Sequence, residues 1–283
     1  MRFHIRHSLH YRYARPVFLE PHVVRLTPRQ DTGQRLLKHR LQVEGTPCGS
    51  STSLDADGNA STVLWFDSLR DRLDLQVEME VETLRDNPFD WIITEPAATR
   101  LPVAYDTATN QSLAPFLGAA VDPGVAAWAA EHAAAVDHAS TDFLIALADV
   151  IHQGFHHVGR LDGDPMPPAQ TLAERSGACR DTAMLYVEAC RSLGLAARFV
   201  SGYSMHHPPE VSEHELHAWA EVYLPGAGWR AYDPSLGLAV ADGHVVLATA
   251  PDHRLAAPLS GRYRGTGVMS EMDYRVALQV TER

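Results

Sequence analysis

The sequence predicts an α+β protein: an antiparallel β-sandwich in front, then a core of helices packed on a second antiparallel sheet. Three observations predict it. Apolar and polar residues alternate up to about residue 85, the period of half-buried strands. From Asp122 the apolar residues recur at helical spacing. After Gly194 short strand-like runs return, two of them joined by the turn Pro225-Gly226-Ala227-Gly228.

The elements follow in order. Phe3, Ile5, Leu9, Tyr11 and Tyr13 alternate with polar residues, and Val23, Val24 and Leu26 precede Pro28. Leu41 and Val43 continue the pattern, and Asp55 to Asn59 forms a turn before Thr62 to Phe66. Leu73, Leu75, Val77, Met79 and Val81 alternate strictly with polar residues. Several short strands at this spacing suggest a sandwich over residues 1–90. Residues 91–135 read as a connector with a helix, the stretch from about 87 to 118 having little regular structure. Helices are expected at 125–130 and 142–151, capped by Asp122 and by Ser140-Thr141-Asp142. Gly163 to Pro168 is a loop. The core, residues 136–283, continues with a helix from Cys179 to about Leu193, stopped by Gly194. Strands at 197–203, 217–224 and 229–233 follow, and alternation from Tyr274 to Val280 adds another.

Composition excludes several classes. The 45% hydrophobic and 21% charged fractions are those of a globular protein. A net charge of −11 argues against a nucleic-acid partner, whose phosphates call for a basic face. Cys48, Cys179 and Cys190 are too few and scattered for a disulfide framework. No apolar run approaches the ~20 residues of a membrane span, and the charged, alternating start does not read as a signal peptide. The reducing cytoplasm is the expected compartment.

Chemistry concentrates at three residues. Cys179 shares an apolar helix face with Ala183, Tyr186, Cys190 and Leu193. That places it at the buried edge of a helix N-terminus, where the dipole and free N–H groups favour a thiolate. The Cys179 N–H can also receive an oxyanion, and Gly177 keeps the approach clear. A lone cysteine of this kind is ordinarily a core residue; the motifs downstream reverse that reading. His217 and Asp233 lie eight residues before and eight after Pro225, so the hairpin brings them nearly opposite each other. Asp233 would fix the imidazole tautomer, and the other ring nitrogen would hold the Cys179 proton.

The stretches around these residues, Gly177-x-Cys179-x-Asp181, His217-Ala218-Trp219-x-Glu221-Val222-Tyr223 and Gly228-Trp229-x-x-Tyr232-Asp233-Pro234-Ser235, resemble the transglutaminase-like superfamily. The front half, with His7-x-x-x-Tyr11-x-Tyr13 and Arg25-Leu26-x-Pro28-Arg29, resembles the β-sandwich that precedes this core in a bacterial branch. The resemblance implies a papain-like fold for the core, with Cys179 as nucleophile, His217 as base and Asp233 as orienter. For the second oxyanion donor it offers His157, 22 residues before the cysteine where relatives often carry Tyr, or Gln170, by analogy with an upstream glutamine. Asp181 fits the family pattern and is expected to neutralise Arg180 or shape the entrance. Trp219 is a candidate cleft wall; Tyr203 and Tyr263 are candidates for a substrate groove.

The histidine pairs His152/His156, His156-His157 and His206-His207, with His214, lack metal-ligand spacing, and no acidic calcium loop is present. No metal or cofactor is expected. The expected partner is a carboxamide-bearing peptide or protein, attacked through a thioester on Cys179. Release to water gives a protease or amidase; release to an amine gives a transglutaminase or ligase. A catalytically silent peptide-binding module is the other class. Loops Gly163–Pro168 and His206–Glu215 would decide between water and amine by shielding the thioester, and analogy favours hydrolysis.

Overall fold

The computed structural model describes residues 1–118, 121–160, 163–206 and 215–282. Six strands open the chain: β1 (Arg2–Leu19), β2 (His22–Val24), β3 (Gln34–Val43), β4 (Gly49–Leu54), β5 (Ala60–Trp65) and β6 (Leu69–Thr83). They divide into two antiparallel sheets, β3-β6-β1 and β2-β5-β4. Register follows the hydrophobic pattern: Phe3 lies opposite Val81, Ile5 opposite Met79 and Leu9 opposite Leu75, all buried. Their alternation leaves Arg2, His4 and Arg6 exposed on the other face.

Helices α1 (Thr107–Leu117), α2 (Pro123–Ala135) and α3 (Ser140–Gly154) come next. Helix α1 falls in a stretch expected to have little regular structure. Asp106 nucleates it by accepting from the N–H groups of Ala108 and Thr109. Asp122 caps α2 as expected, whereas α3 starts after Ala139 with no side-chain cap. Ser140 instead donates its hydroxyl to the Ala98 carbonyl, 2.6 Å away.

The remainder runs β7 (His156–His157), α4 (Pro168–Glu174), β8 (Ser176–Gly177), α5 (Cys179–Ser192), β9 (Ala197–Ser204), β10 (His217–Leu224), β11 (Gly228–Asp233), β12 (Leu238–Ala239) and β13 (His244–Ala250). The second sheet system has the order β12-β11-β10-β9-β13. Helices α2, α3 and α5 cover one face through Ala220, Val222, Leu224 and Tyr232. Tyr203, Val245 and Leu247 join the apolar cluster of the front sheets. Covered twice, β9 is buried along its whole length.

The last strands do not stay with this core. β14 (Leu259–Ser260) pairs with β2, and β15 (Tyr263–Arg264) and β16 (Ser270–Thr281) pair with β1. The long edge of β1 that β6 leaves open is filled by β16 from Arg2↔Thr281 to Tyr13↔Ser270, so residues grouped by sequence with the core complete the front sheet. Among the described residues no helix is long and apolar enough to cross a membrane.

Candidate active site

Helix α5 begins with the cysteine. Ala178 occupies the cap position and has no side-chain oxygen, so Asp181 reaches back and accepts from the Ala178 N–H at 2.7 Å. The other oxygen of Asp181 accepts from Arg160 Nη2 at 2.6 Å and from the Met166 N–H at 2.8 Å. Asp181 therefore ties the loop ahead of α4 to the helix start and shapes the entrance; its partner is Arg160, not Arg180. Gly177 has a different reason from the one expected. A Cβ there would stand 2.8 Å from the Asp181 Cβ, so glycine makes room for that carboxylate.

Strand β10 delivers His217 and β11 delivers Asp233, across a hairpin in which Leu224 faces Gly228 and Ala220 faces Tyr232. This register, extended, sets Asp233 across from Trp219 rather than His217. The offset is two residues, so both side chains remain on one face as diagonal neighbours. His217 Nε2–H donates to Asp233 Oδ2 at 2.6 Å. The remaining ring nitrogen, Nδ1, is left to Cys179, which lines the same cavity and helps to raise the imidazole pKa.

Burial of His217 disfavours its charge, but the Asp233 charge and hydrogen bond, aided by Cys179, outweigh that and raise it to about 10. Burial likewise opposes ionisation of Asp233, yet the His217 charge and the two imidazole hydrogen bonds hold the carboxyl far below its ordinary range. The second of those imidazoles is His244 at the start of β13, whose Nε2–H donates to the same Oδ2 at 3.0 Å. Burial lowers the pKa of His244 against the pull of Asp233. Asp233 Oδ1 accepts from the N–H and hydroxyl of Ser235 and from the N–H of Leu236. Sequence reasoning missed His244 and Ser235. Ser235 lay inside a quoted motif, while His244 comes from a strand whose place beside β9 is not readable locally.

Among the described residues, His217, Asp233 and His244 have the composition of a metal site, with ligand atoms within 4.8 Å of one another. Both rings already donate to Oδ2, so a cation would have to displace two N–H protons. His152, considered for a metal from its spacing, pairs its Nδ1 with the Ser235 carbonyl at 2.8 Å. Residues 207–214, with His207, His214 and most of the second expected gating loop, lie outside the described residues.

Two cavities flank the partly exposed Cys179. One, of about 210 Å³, is lined by Pro165, Phe199, Ser201, His217 and Arg254. The other, of about 130 Å³, lies against the front sheet and includes His157, Tyr11, Met272 and Tyr274. His157 sits on β7, paired in parallel with Gly177, which brings it to the cysteine side of the groove. Gln170 does not reach the site: it is exposed on α4 and bonds Glu174 at 2.7 Å. Trp219 is fully buried behind His217, ring centroids 6.0 Å apart, and borders a different cavity, shared with Glu221 and His244. Tyr203 is likewise buried, its hydroxyl 2.8 Å from His7 Nδ1, joining core to front sheet rather than lining the groove. Tyr263 packs on Tyr13 at 4.9 Å.

Comparison with known proteins agrees with this architecture. Residues 3–82 match the bacterial transglutaminase-like N-terminal region, and residues 127–234 match the transglutaminase-like superfamily core. The uncharacterized protein Rv2569c of Mycobacterium tuberculosis is 27% identical over 273 residues, spanning 92% of this chain and 87% of its own. ML0607 of Mycobacterium leprae, also uncharacterized, is 27% identical over 291 residues, spanning 99% and 98%. A solved structure from Cytophaga hutchinsonii, provisionally called a cysteine protease, shares the fold with a TM-score of 0.73 at 20% identity, over 100% of this chain and 92% of that one.

Proposed function

A member of the transglutaminase-like superfamily, with the bacterial N-terminal region of that family ahead of its core, this chain acts, we propose, as a cysteine-dependent amide or peptide hydrolase. The observation that carries the reading is the His217 ring, bonded to Asp233 at 2.6 Å, in the cavity that Cys179 also lines.

Cys179 Sγ attacks the carbonyl carbon of the amide, and the carbonyl oxygen becomes an oxyanion. The Cys179 N–H, unpaired within the first helical turn, and the His157 ring receive that charge. The C–N bond then breaks as the His217 imidazolium gives its proton to the departing amine, leaving a thioester. Water opens the thioester, giving one proton to His217 and releasing the acid and the thiolate. Asp233 keeps the ring aligned throughout.

Hydrolysis is favoured over transfer because Cys179 is partly exposed between two cavities, so water reaches the thioester. The substrate is a carboxamide-bearing peptide or protein, and the compartment proposed is the reducing cytoplasm, where the three thiols stay free. A peptide and glutamine-donor library assayed with and without hydroxylamine, Cys179→Ala as blank, tests the reading. Acid release is expected to exceed hydroxamate formation; the reverse would make the enzyme a transferase. Iodoacetamide should modify Cys179 faster than exposed Cys48, whose thiol is pushed up by the neighbouring Asp67 charge. Equal rates would favour a silent binding module.

A further inference from the structure

The smaller cavity beside Cys179 has a far wall that the catalytic core does not supply. Along β1 the inward row runs Phe3, Ile5, His7, Leu9, and β16 lays Val276, Tyr274 and Met272 across from His7, Leu9 and Tyr11. Leu9, Tyr11, Met272 and Tyr274 thereby form an apolar and aromatic surface facing the nucleophile. Tyr274 stands close enough that, after burial, the charges of Glu215 and Cys179 help push its phenol up to about 12.

One member of the row breaks the pattern. His7 occupies a position between Ile5 and Leu9, opposite Val77, that alternation would give to an apolar residue. It is 1% exposed and lines the cavity. Its Nδ1 meets the Tyr203 hydroxyl at 2.8 Å, while Nε2 is buried without a hydrogen-bond partner among the described residues. Burial lowers the ring to about 4, so it is neutral at physiological pH. One of the two groups donates in the His7–Tyr203 pair, and with either tautomer Nε2 remains a buried polar atom in need of a partner. Arg180 and Glu215, of opposite sign, also line the cavity, as does Arg160, whose charge is met by Asp181.

We propose that this cavity is a specificity pocket for a tyrosine side chain flanking the attacked carbonyl, its ring against Met272 and Tyr274 and its phenol hydroxyl hydrogen-bonded to His7 Nε2. Sulfur and aromatic walls suit a ring edge, and the buried, unpartnered ring nitrogen distinguishes tyrosine from phenylalanine. The proposal rests on Cys179 being the nucleophile.

The test compares labelling rates of Cys179 by iodoacetamide and by matched peptidyl vinyl sulfones carrying Tyr, Phe, Leu or Lys next to the electrophile. Tyrosine is expected to label fastest, about fivefold ahead of phenylalanine, the worth of one neutral hydrogen bond. His7→Phe should abolish that margin, and Met272→Trp, on the half-buried rim, should abolish the preference for any ring. Equal Tyr and Phe rates, a lead for lysine, peptide probes no faster than iodoacetamide, or a margin surviving both substitutions would overturn the pocket. Iodoacetamide showing no preference for Cys179 over Cys48 would instead remove the nucleophile reading beneath it.

Discussion

His217 and His244 donate to one and the same carboxylate oxygen, Oδ2 of Asp233, at 2.6 and 3.0 Å. The two rings come from different edges of the hairpin neighbourhood, one from β10 and one from β13, and they carry opposite shifts. His217 is raised and His244 lowered, so the carboxylate meets one imidazolium and one neutral imidazole at neutral pH.

Replacing Asp233 by Asn removes the negative charge that holds the His217 proton. Amide hydrolysis needs that proton for the leaving amine, so activity is lost as pH rises through the imidazole pKa. The alkaline limb is expected near pH 10 in the native protein and displaced toward the ordinary imidazole value of about 6.5 in the variant. A limb that stays put in a pH–rate profile would show that Asp233 is not its source. The same couple fixes a stability window. His217 contributes below its unfolded value and loses that contribution as pH rises through about 10. Asp233 contributes above its unfolded value of about 3.9 and loses it at lower pH. Their joint contribution is therefore full between about pH 4 and 6.5 and declines on either side.

His244 is a positioning residue, since it touches Asp233 rather than substrate. His244→Ala should lower kcat/KM about tenfold, the loss of one hydrogen bond to a charged group. His244→Gln, which restores an N–H donor, should recover most of it. Equal rates in the two variants, with folding checked by circular dichroism, would leave only a packing role against Trp219.

Asp181 joins Ala178, Arg160 and Met166 at the entrance. Asp181→Ala is expected to cost about 1–3 kcal/mol in denaturant unfolding, from a lost cap and the unpaired Ala178 N–H. It should also raise KM by loosening the loop that carries Pro165 into the larger cavity. Gly177→Ala should destabilise too, by forcing the same carboxylate aside. An unchanged midpoint in both would contradict this account.

Glu221, buried on β10, pairs with Arg198 at 2.6 Å and with Arg29 of the front segment at 3.1 Å. Burial opposes its charge, but the two guanidiniums lower it to about 2. Glu221→Gln leaves two poorly hydrated cations facing a neutral amide and should destabilise by about 3 kcal/mol at pH 7. The difference from native should shrink toward pH 2, where the native carboxylate is itself protonated. Urea midpoints at pH 7 and pH 3 would read both effects.

Much of this site was legible because its carriers are local. The turn at Pro225 to Gly228, the strand beginning at His217 and the helix beginning at Cys179 are each written in a few consecutive residues. The hairpin register was readable only to within two residues, and the shift was harmless because it preserved the face. What escaped depends on long-range pairing. His244 reaches Asp233 only because β13 lies beside β9, and Tyr274 reaches the groove only because β16 returns to β1. Trp219 shares parity with His217 yet is fully buried, and Tyr203, on the other face by register, joins the apolar cluster of the front sheets, which alternation alone does not reveal.

The return of β16 to β1 also orders events in time. During synthesis the segments bearing Cys179, His217, Asp233 and His244 leave the ribosome before residues 270–281 do. A nascent chain can thus assemble its nucleophile while one side of the groove is still missing. Until β16 zips against β1 the proposed pocket lacks Met272 and Tyr274, so any discrimination it confers waits on that pairing.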